Sequence, residues 1–140
     1  MPEEAQKPKL ILIIDDDVNF REIFSLKLGE AGFRVETAHD GKEGLEKIEK
    51  LHPDLVLMDV NMPKLNGVEA LLEMRAEPKI KDTRVLFLTA LGDPRSEMRE
   101  INRRLSKEVG AVGYIRKEQD LEKTVAYIKS FLEGEELLSD

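Results

Sequence analysis

Five short apolar runs, each followed by a longer stretch of helical period, constrain this chain more than any other feature. The runs cover residues 10–14, 33–37, 55–58, 85–89 and 112–115. Those at 10–14, 55–58 and 85–89 (LILII, LVLM and VLFLT) are almost unbroken in apolar character. Strands of that kind are covered on both faces, whereas a strand with one wet face alternates apolar and polar residues. The first helical segment carries Phe20, Ile23, Phe24 and Leu28 and stops at Gly29 or Gly32; the second carries Leu45, Ile48 and Leu51 and stops before Pro53, whose ring disfavours helix at His52. The third holds Val68, Leu71, Leu72 and Arg75 and ends before Pro78. The fourth opens at Pro94, a residue suited to a first helical turn, and places Met98, Ile101, Leu105 and Val109 on one stripe; the fifth carries Leu121, Val125, Ile128 and Leu132. Strict alternation of strand and helix with short connections requires right-handed crossovers, hence an α/β fold with a doubly wound, mostly parallel five-stranded sheet. One domain is expected over residues 10–133, between a polar N-terminal tail (1–9) and an acidic C-terminal tail (134–140) that both fray.

Charge and composition narrow the function. A formal net charge of −7 opposes broad binding to nucleic acid or anionic membrane, since either polyanion repels it at long range. No window approaches the roughly 18 to 20 apolar residues of a membrane span, and residues 1–9 lack the apolar centre of a signal peptide. The expected location is the cytoplasm. With no cysteine in the chain, disulfides and thiolate metal sites are excluded.

The chemically interesting residues fall at one end of the predicted strands. Asp15, Asp16 and Asp17 follow the first run, Asp59 follows the third, Thr89 closes the fourth, and Lys117 comes just after the fifth. In an open parallel sheet the carboxyl ends of the strands share one edge, and ligands bind where the strand order reverses. The order 2-1-3-4-5 would set strands one and three side by side there, with Asp59 facing two or three other carboxylates. Such a cluster raises its own pKa values unless a cation relieves it. Mg²⁺ fits that ligand set, because it takes one or two carboxylates plus waters and phosphate oxygens. Phosphoryl transfer needs a nucleophile, a metal on the phosphate oxygens, and further cationic or hydroxyl donors. Asp59, the metal, Lys117 and Thr89 would supply those parts.

The segments Ile13-Ile14-Asp15-Asp16-Asp17, then Pro53 through Pro63 around Asp59 with Asn66-Gly67, then Leu88-Thr89-Ala90, then Gly110-Ala111 through Lys117 together resemble the receiver domains of bacterial response regulators. The likeness runs from about Leu10 to Leu132, with its segments in the right order and on the right elements. It implies a flavodoxin-like fold in which Asp59 accepts the phosphoryl group. By the same resemblance Asp16, Asp59 and the backbone carbonyl of Asn61 contact Mg²⁺, with Asp15 acting through water. Lys117 binds one phosphoryl oxygen, Thr89 hydrogen-bonds another, and Tyr114 is similar to the aromatic that turns inward as Thr89 moves. The implied donor is a sensor histidine kinase or a histidine phosphotransfer protein. The implied output is a downstream protein bound to the face formed by the fourth helical segment, the fifth strand and the fifth helical segment. Two features depart from that pattern. The family generally has proline, often cis, after the active-site lysine, where this chain has Glu118; a cis bond there would cost about 2.5 to 4 kcal/mol, so a trans peptide and a different loop are expected, which bears on the reach of Lys117. The interval from Thr89 to Tyr114 is also a turn or two longer than usual.

Plainer readings stand beside these. Asp17 or Asn19 would serve as a helix cap, Asn66-Gly67 as a turn, and Met62-Pro63 as a shaper of the loop after Asp59. His39 and His52 lie in polar surroundings away from the motif. The row Arg95, Arg99, Arg103 and Lys107 is either a solvated face paired with Glu97, Glu100 and Glu108 or a partner surface. Asp15-x-Asp17 after an apolar strand also resembles the nucleophile motif of haloacid dehalogenase phosphatases, but that reading leaves Asp59, Thr89 and Lys117 without a role. A receiver-like scaffold that is never phosphorylated is the third possibility. The expectation is a stand-alone receiver that is no enzyme beyond its own phosphorylation and dephosphorylation.

Overall fold

Strand β1 (Leu10–Ile14) is buried at every position, as an apolar run covered on both sides must be. A computed structural model describes residues 8–60, 62, 66–89 and 113–138. After β1 come α1 (Val18–Glu30), β2 (Arg34–Ala38), α2 (Gly41–Leu51), β3 (Leu55–Asp59), α3 (Gly67–Ala76), β4 (Val85–Thr89), β5 (Gly113–Arg116) and a last described helix, here α4 (Leu121–Leu138). The five strands form one sheet in the order β2-β1-β3-β4-β5, with every pairing parallel. This is the doubly wound order expected from the sequence. The predicted helical segment at 94–110 lies outside the described residues.

The two-residue period of each strand divides the core in two. Leu12, Ile14, Val56, Met58, Val85 and Phe87 face one side, where they meet Ile48 of α2 and Val68, Leu71 and Met74 of α3. Their neighbours Ile11, Ile13, Leu55, Leu57, Leu86 and Leu88 face the other side and meet Phe24 and Leu28 of α1 and Ile128 and Leu132 of α4. A strand buried on both faces gains from every side chain, roughly 1.5 to 3 kcal/mol for each fully covered aliphatic one. That accounts for the unbroken runs in β1, β3 and β4.

Several boundaries differ from the sequence reading. Strand β2 is one residue later than expected, because Phe33 packs as a partly buried hydrophobe of the α1 side before the strand begins. It is an edge strand, with an exposed Arg34 and Glu36. Ile23 and Leu72, placed on the buried stripes of their helices, are about half exposed (51% each); the stripe of α3 is instead Val68, Ala70, Leu71 and Met74. Helix α4 runs on to Leu138, past the boundary expected at 133. Its final stretch is mostly Glu and Leu, good helix formers, and one glycine costs only about 1 kcal/mol.

Asn66-Gly67 does not form a turn. Asn66 is the N-cap of α3: its side chain accepts the Glu69 backbone N–H at 2.9 Å, and the Glu69 carboxylate accepts the Asn66 N–H at 3.2 Å. The reciprocal pair is a capping box. Asn66→Ala is expected to lower stability by about 1 kcal/mol, read as a shift of the urea midpoint. An unchanged midpoint would mean that packing alone fixes the start of α3.

Candidate functional site

The strand period also aims the polar residues. Asp15 continues the set Ile11, Ile13; Asp59 continues Leu55, Leu57; Lys117 continues Ile115. All three are thereby sent to the α1 side of the sheet, at its carboxyl edge. Thr89 continues the other set, Val85 and Phe87. Parallel pairing of β1 with both β2 and β3 places the ends of β1 and β3 next to each other at the reversal of strand order.

There the carboxylates converge. Asp15, Asp16 and Asp59 each offer an oxygen, and those three atoms lie within 4.8 Å of one another. Asp15 is fully buried, Asp59 is 6% exposed, and Asp16 is exposed. The Lys117 Nζ lies 2.8 Å from Asp15 Oδ2 and 3.8 Å from Asp59 Oδ2. The trans peptides that prevail among the described residues therefore let Lys117 reach the site without a proline behind it. Its backbone N–H also donates to the Thr89 carbonyl at 2.7 Å, which ties the ends of β4 and β5 together. Thr89 itself is buried, at 6% exposure.

Local chemistry holds Asp15 in place. Its Oδ1 accepts the Asp17 N–H at 2.9 Å, and its carbonyl accepts from Arg21 Nη1 at 2.7 Å. Asp17 takes the capping role, accepting the backbone N–H groups of Asn19 and Phe20. Burial pushes the Asp15 carboxyl above the usual carboxylate range, and the Lys117 ammonium and the Asp17 N–H offset this only in part. For Lys117 burial acts downward, but the Asp15 contact and the charges of Asp59, Asp15 and Asp17 outweigh it, so its pKa stands above the usual lysine value. The ammonium is therefore charged at neutral pH.

The site suits a hard divalent cation. Asp15 Oδ2 is buried with no hydrogen-bond partner, although the Lys117 ammonium lies beside it as an ion pair. A carboxylate oxygen has two acceptor positions, and one ammonium at 2.8 Å leaves acceptor capacity unused. Among the described residues, one ammonium against three carboxylates also leaves net negative charge, and oxygen-only donors match Mg²⁺. The predicted contact Asn61 lies outside the described residues. Tyr114 stands in β5 opposite Phe87, and its side chain is likewise outside the described set.

Two residues at the site have roles that the sequence reading did not assign. Gly67 opens α3 against the end of β3: a Cβ there would meet the Asp59 carbonyl oxygen at 2.7 Å and Phe87 Cε1 at 2.9 Å. Only glycine lets the helix start so close to the residue before Val60. The second is Phe20, whose ring lies under the Lys117 ammonium, 4.6 Å from Nζ to the ring centroid. His39 is engaged elsewhere, with Glu43 at 2.6 Å and Asp40 at 3.2 Å.

A doubly wound sheet that gathers acidic residues and one lysine at its carboxyl edge defines a signalling receiver, and the sequence agrees: this chain belongs to the response regulator receiver domain family, which it matches over residues 11–129. It is a receiver domain of two-component signalling. It is 40% identical over 122 residues to the transcriptional regulatory protein CpxR homolog of Haemophilus influenzae, covering 87% of this chain and 49% of that protein. To the DNA-binding dual master transcriptional regulator RpaA of Synechocystis the identity is 34%, over 87% of this chain and 48% of that one. The chain thus spans about half the length of these curated relatives. Among solved structures, the chemotaxis response regulator CheY4 of Vibrio cholerae superposes with a TM-score of 0.75 at 33% identity, covering 87% of this chain and 97% of that one. A CheY-like receiver domain protein of Methanospirillum hungatei gives 0.78 at 29% identity, over 92% and 97%. No helix among the described residues is long and apolar enough to cross a membrane.

Proposed function

We propose that this receiver is a phosphorylation switch in which Asp59 takes a phosphoryl group from a phosphohistidine on a sensor histidine kinase or a histidine phosphotransfer protein. The observation that carries this reading is the arrangement around the Asp59 carboxylate: a largely buried acid with a lysine ammonium at 3.8 Å and two further carboxylates within 4.8 Å. An oxygen of Asp59 forms a bond to phosphorus as the donor's P–N bond breaks, and the bonding pair leaves on the imidazole nitrogen. The product is an acyl phosphate; water attacking the phosphorus later returns the carboxylate and releases inorganic phosphate. The chain's catalysis is confined to these two events on itself.

Asp15, Asp16, Asp59 and the Asn61 carbonyl are the groups that would hold Mg²⁺. When bound, the ion supplies charge neutralisation for the phosphoryl oxygens. Lys117 meets the negative charge from the other side, moving from Asp15 towards the new oxygens. Thr89 donates its hydroxyl to a phosphoryl oxygen, and because its carbonyl holds the Lys117 N–H, movement at either residue is felt at the other. Tyr114 responds in β5, and the face that includes β5 and α4 is read by a downstream protein. An acidic chain of net charge −7 suits output through protein contact in the cytoplasm rather than direct contact with nucleic acid.

The test is chemical. The purified protein is incubated with acetyl phosphate and Mg²⁺, the acyl phosphate is reduced with borohydride, and peptides are mapped by mass. The expected result is one modified residue, Asp59. No modification, or modification at another carboxylate, would overturn the proposal.

A further inference from the structure

Lys117 is the sole cation placed against the carboxylates among the described ion pairs, yet it stands on a turn after β5 rather than within a strand. A lysine stem has more rotamer freedom to lose than almost any other side chain. Something has to hold its end in place. Asp15 holds one side at 2.8 Å, but an ammonium is a compact charge with three rotatable donors and takes no fixed direction from one carboxylate. On a second side lies the ring of Phe20.

Phe20 is itself held rigidly. Its backbone N–H is bound by the Asp17 cap at 3.2 Å, which sets it in the first turn of α1. Its ring packs on Phe24 with centroids 5.2 Å apart and planes tilted by 59°, and Phe24 is fully buried. The capping that orients Asp15 through the Asp17 N–H therefore also fixes the ring that faces Lys117.

We propose that Phe20 is a positioning residue for Lys117: the negative face of its ring and the Asp15 carboxylate hold the ammonium between them, aimed at Asp59. The inference rests on the phosphoryl-acceptor reading above, and it assigns to an apolar residue a part in the reaction that packing alone would not give it. A cation–π contact with a partly desolvated ammonium corresponds to roughly three- to tenfold in an equilibrium. The same factor is expected in the rate at which Asp59 is phosphorylated, since a misdirected ammonium has to be recaptured each time.

The experiment compares wild type, Phe20→Leu and Phe20→Tyr. Leucine keeps an apolar side chain against the α1 core but removes the π face; tyrosine keeps the face. The first readout is the proton shift of the Lys117 ε-methylene in the unphosphorylated protein, which the ring current of Phe20 moves upfield. The second is the rate of phosphorylation by acetyl phosphate as a function of Mg²⁺. In Phe20→Leu the upfield shift should vanish and the rate should fall roughly three- to tenfold, with half-saturation by Mg²⁺ unchanged; Phe20→Tyr should restore both. A lysine shift that survives in the leucine variant, an unaltered rate, or a tyrosine variant as slow as the leucine one would overturn the proposal. If wild type takes no phosphoryl group, the acceptor reading fails separately, and the lysine shift alone then decides whether Phe20 holds Lys117.

Discussion

Asp59→Asn is expected to give a protein that takes up no phosphoryl group and yet is more stable than wild type when metal is removed. The first half follows from the chemistry, because an amide oxygen is a poor nucleophile and its phosphoryl adduct has no stable form. The second half follows from the charges. At an effective dielectric near 20, Lys117 at 3.8 Å attracts Asp59 by about 4 kcal/mol. Asp15 and Asp16, with oxygens within 4.8 Å, repel it by about 3.5 kcal/mol each. Repulsion is the larger sum. Asp16 is exposed and its share is screened to a fraction of that, so the terms nearly cancel and the expected net gain on removing the Asp59 charge is at most about 1 kcal/mol. Added Mg²⁺ should stabilise wild type by mass action and should do so far less in the variant, which lacks one anionic ligand. Urea midpoints in EDTA and in Mg²⁺, with intact mass after treatment with acetyl phosphate, test each part. A variant that is less stable than wild type in EDTA would mean that Asp59 is held mainly by favourable partners, and that the pocket is not a strained acidic cluster.

The sheet was legible in the sequence because its signal is local. Runs such as Leu10–Ile14 and Val85–Thr89 are buried on both faces, and a covered parallel strand accounts for a short, nearly continuous apolar run between turn signals. The acidic residues were legible for a related reason: each lies at or just after the end of a strand, so strand order alone brings Asp15 and Asp16 to Asp59, and Lys117 to both. What the sequence concealed is contact between distant segments. Lys117 meets Phe20 across most of the chain, and no periodicity links them; in the sequence Phe20 is one more apolar residue of a helix. Gly67 was read with Asn66 as a turn although Asn66-x-x-Glu69 carries the spacing of a capping box. Its closer role depends on where the Asp59 carbonyl lies, which only the packing of α3 on β3 reveals. The replacement of proline by Glu118 put the reach of Lys117 in question, and the answer came from the anchoring of its own N–H on Thr89, a contact between the ends of β4 and β5.

Removing that lysine is expected to destabilise the metal-free protein by roughly 3 kcal/mol at pH 7, through the carboxylate it leaves behind. Asp15 is fully buried, and its Oδ2 has no hydrogen-bond partner apart from the ion pair with Lys117. In Lys117→Ala that pair is gone and the nearby Asp16 and Asp59 remain. The carboxyl, already pushed above the usual range by burial, rises further. Protonation sets the ceiling on the cost: neutralising a carboxyl of ordinary pKa at pH 7 takes about 4 kcal/mol, at roughly 1.4 kcal/mol per unit over about three units. The pH dependence then has a definite sign. The folded-state pKa of Asp15 lies above its unfolded value of 3.8, so between the two values the native state binds more protons than the unfolded one. Stability therefore rises as pH falls through the folded pKa, and the deficit of the variant should shrink from pH 7 to pH 5. Mg²⁺ should reduce it at constant pH, because a cation near Asp15 replaces part of what the ammonium supplied. Urea unfolding of both proteins in EDTA at the two pH values, repeated with Mg²⁺, measures all three effects. A deficit that is the same at pH 7 and pH 5 would show that the loss comes from the packing of the lysine stem, and a variant as stable as wild type at pH 7 would show that water solvates the Asp15 carboxylate in the lysine's place.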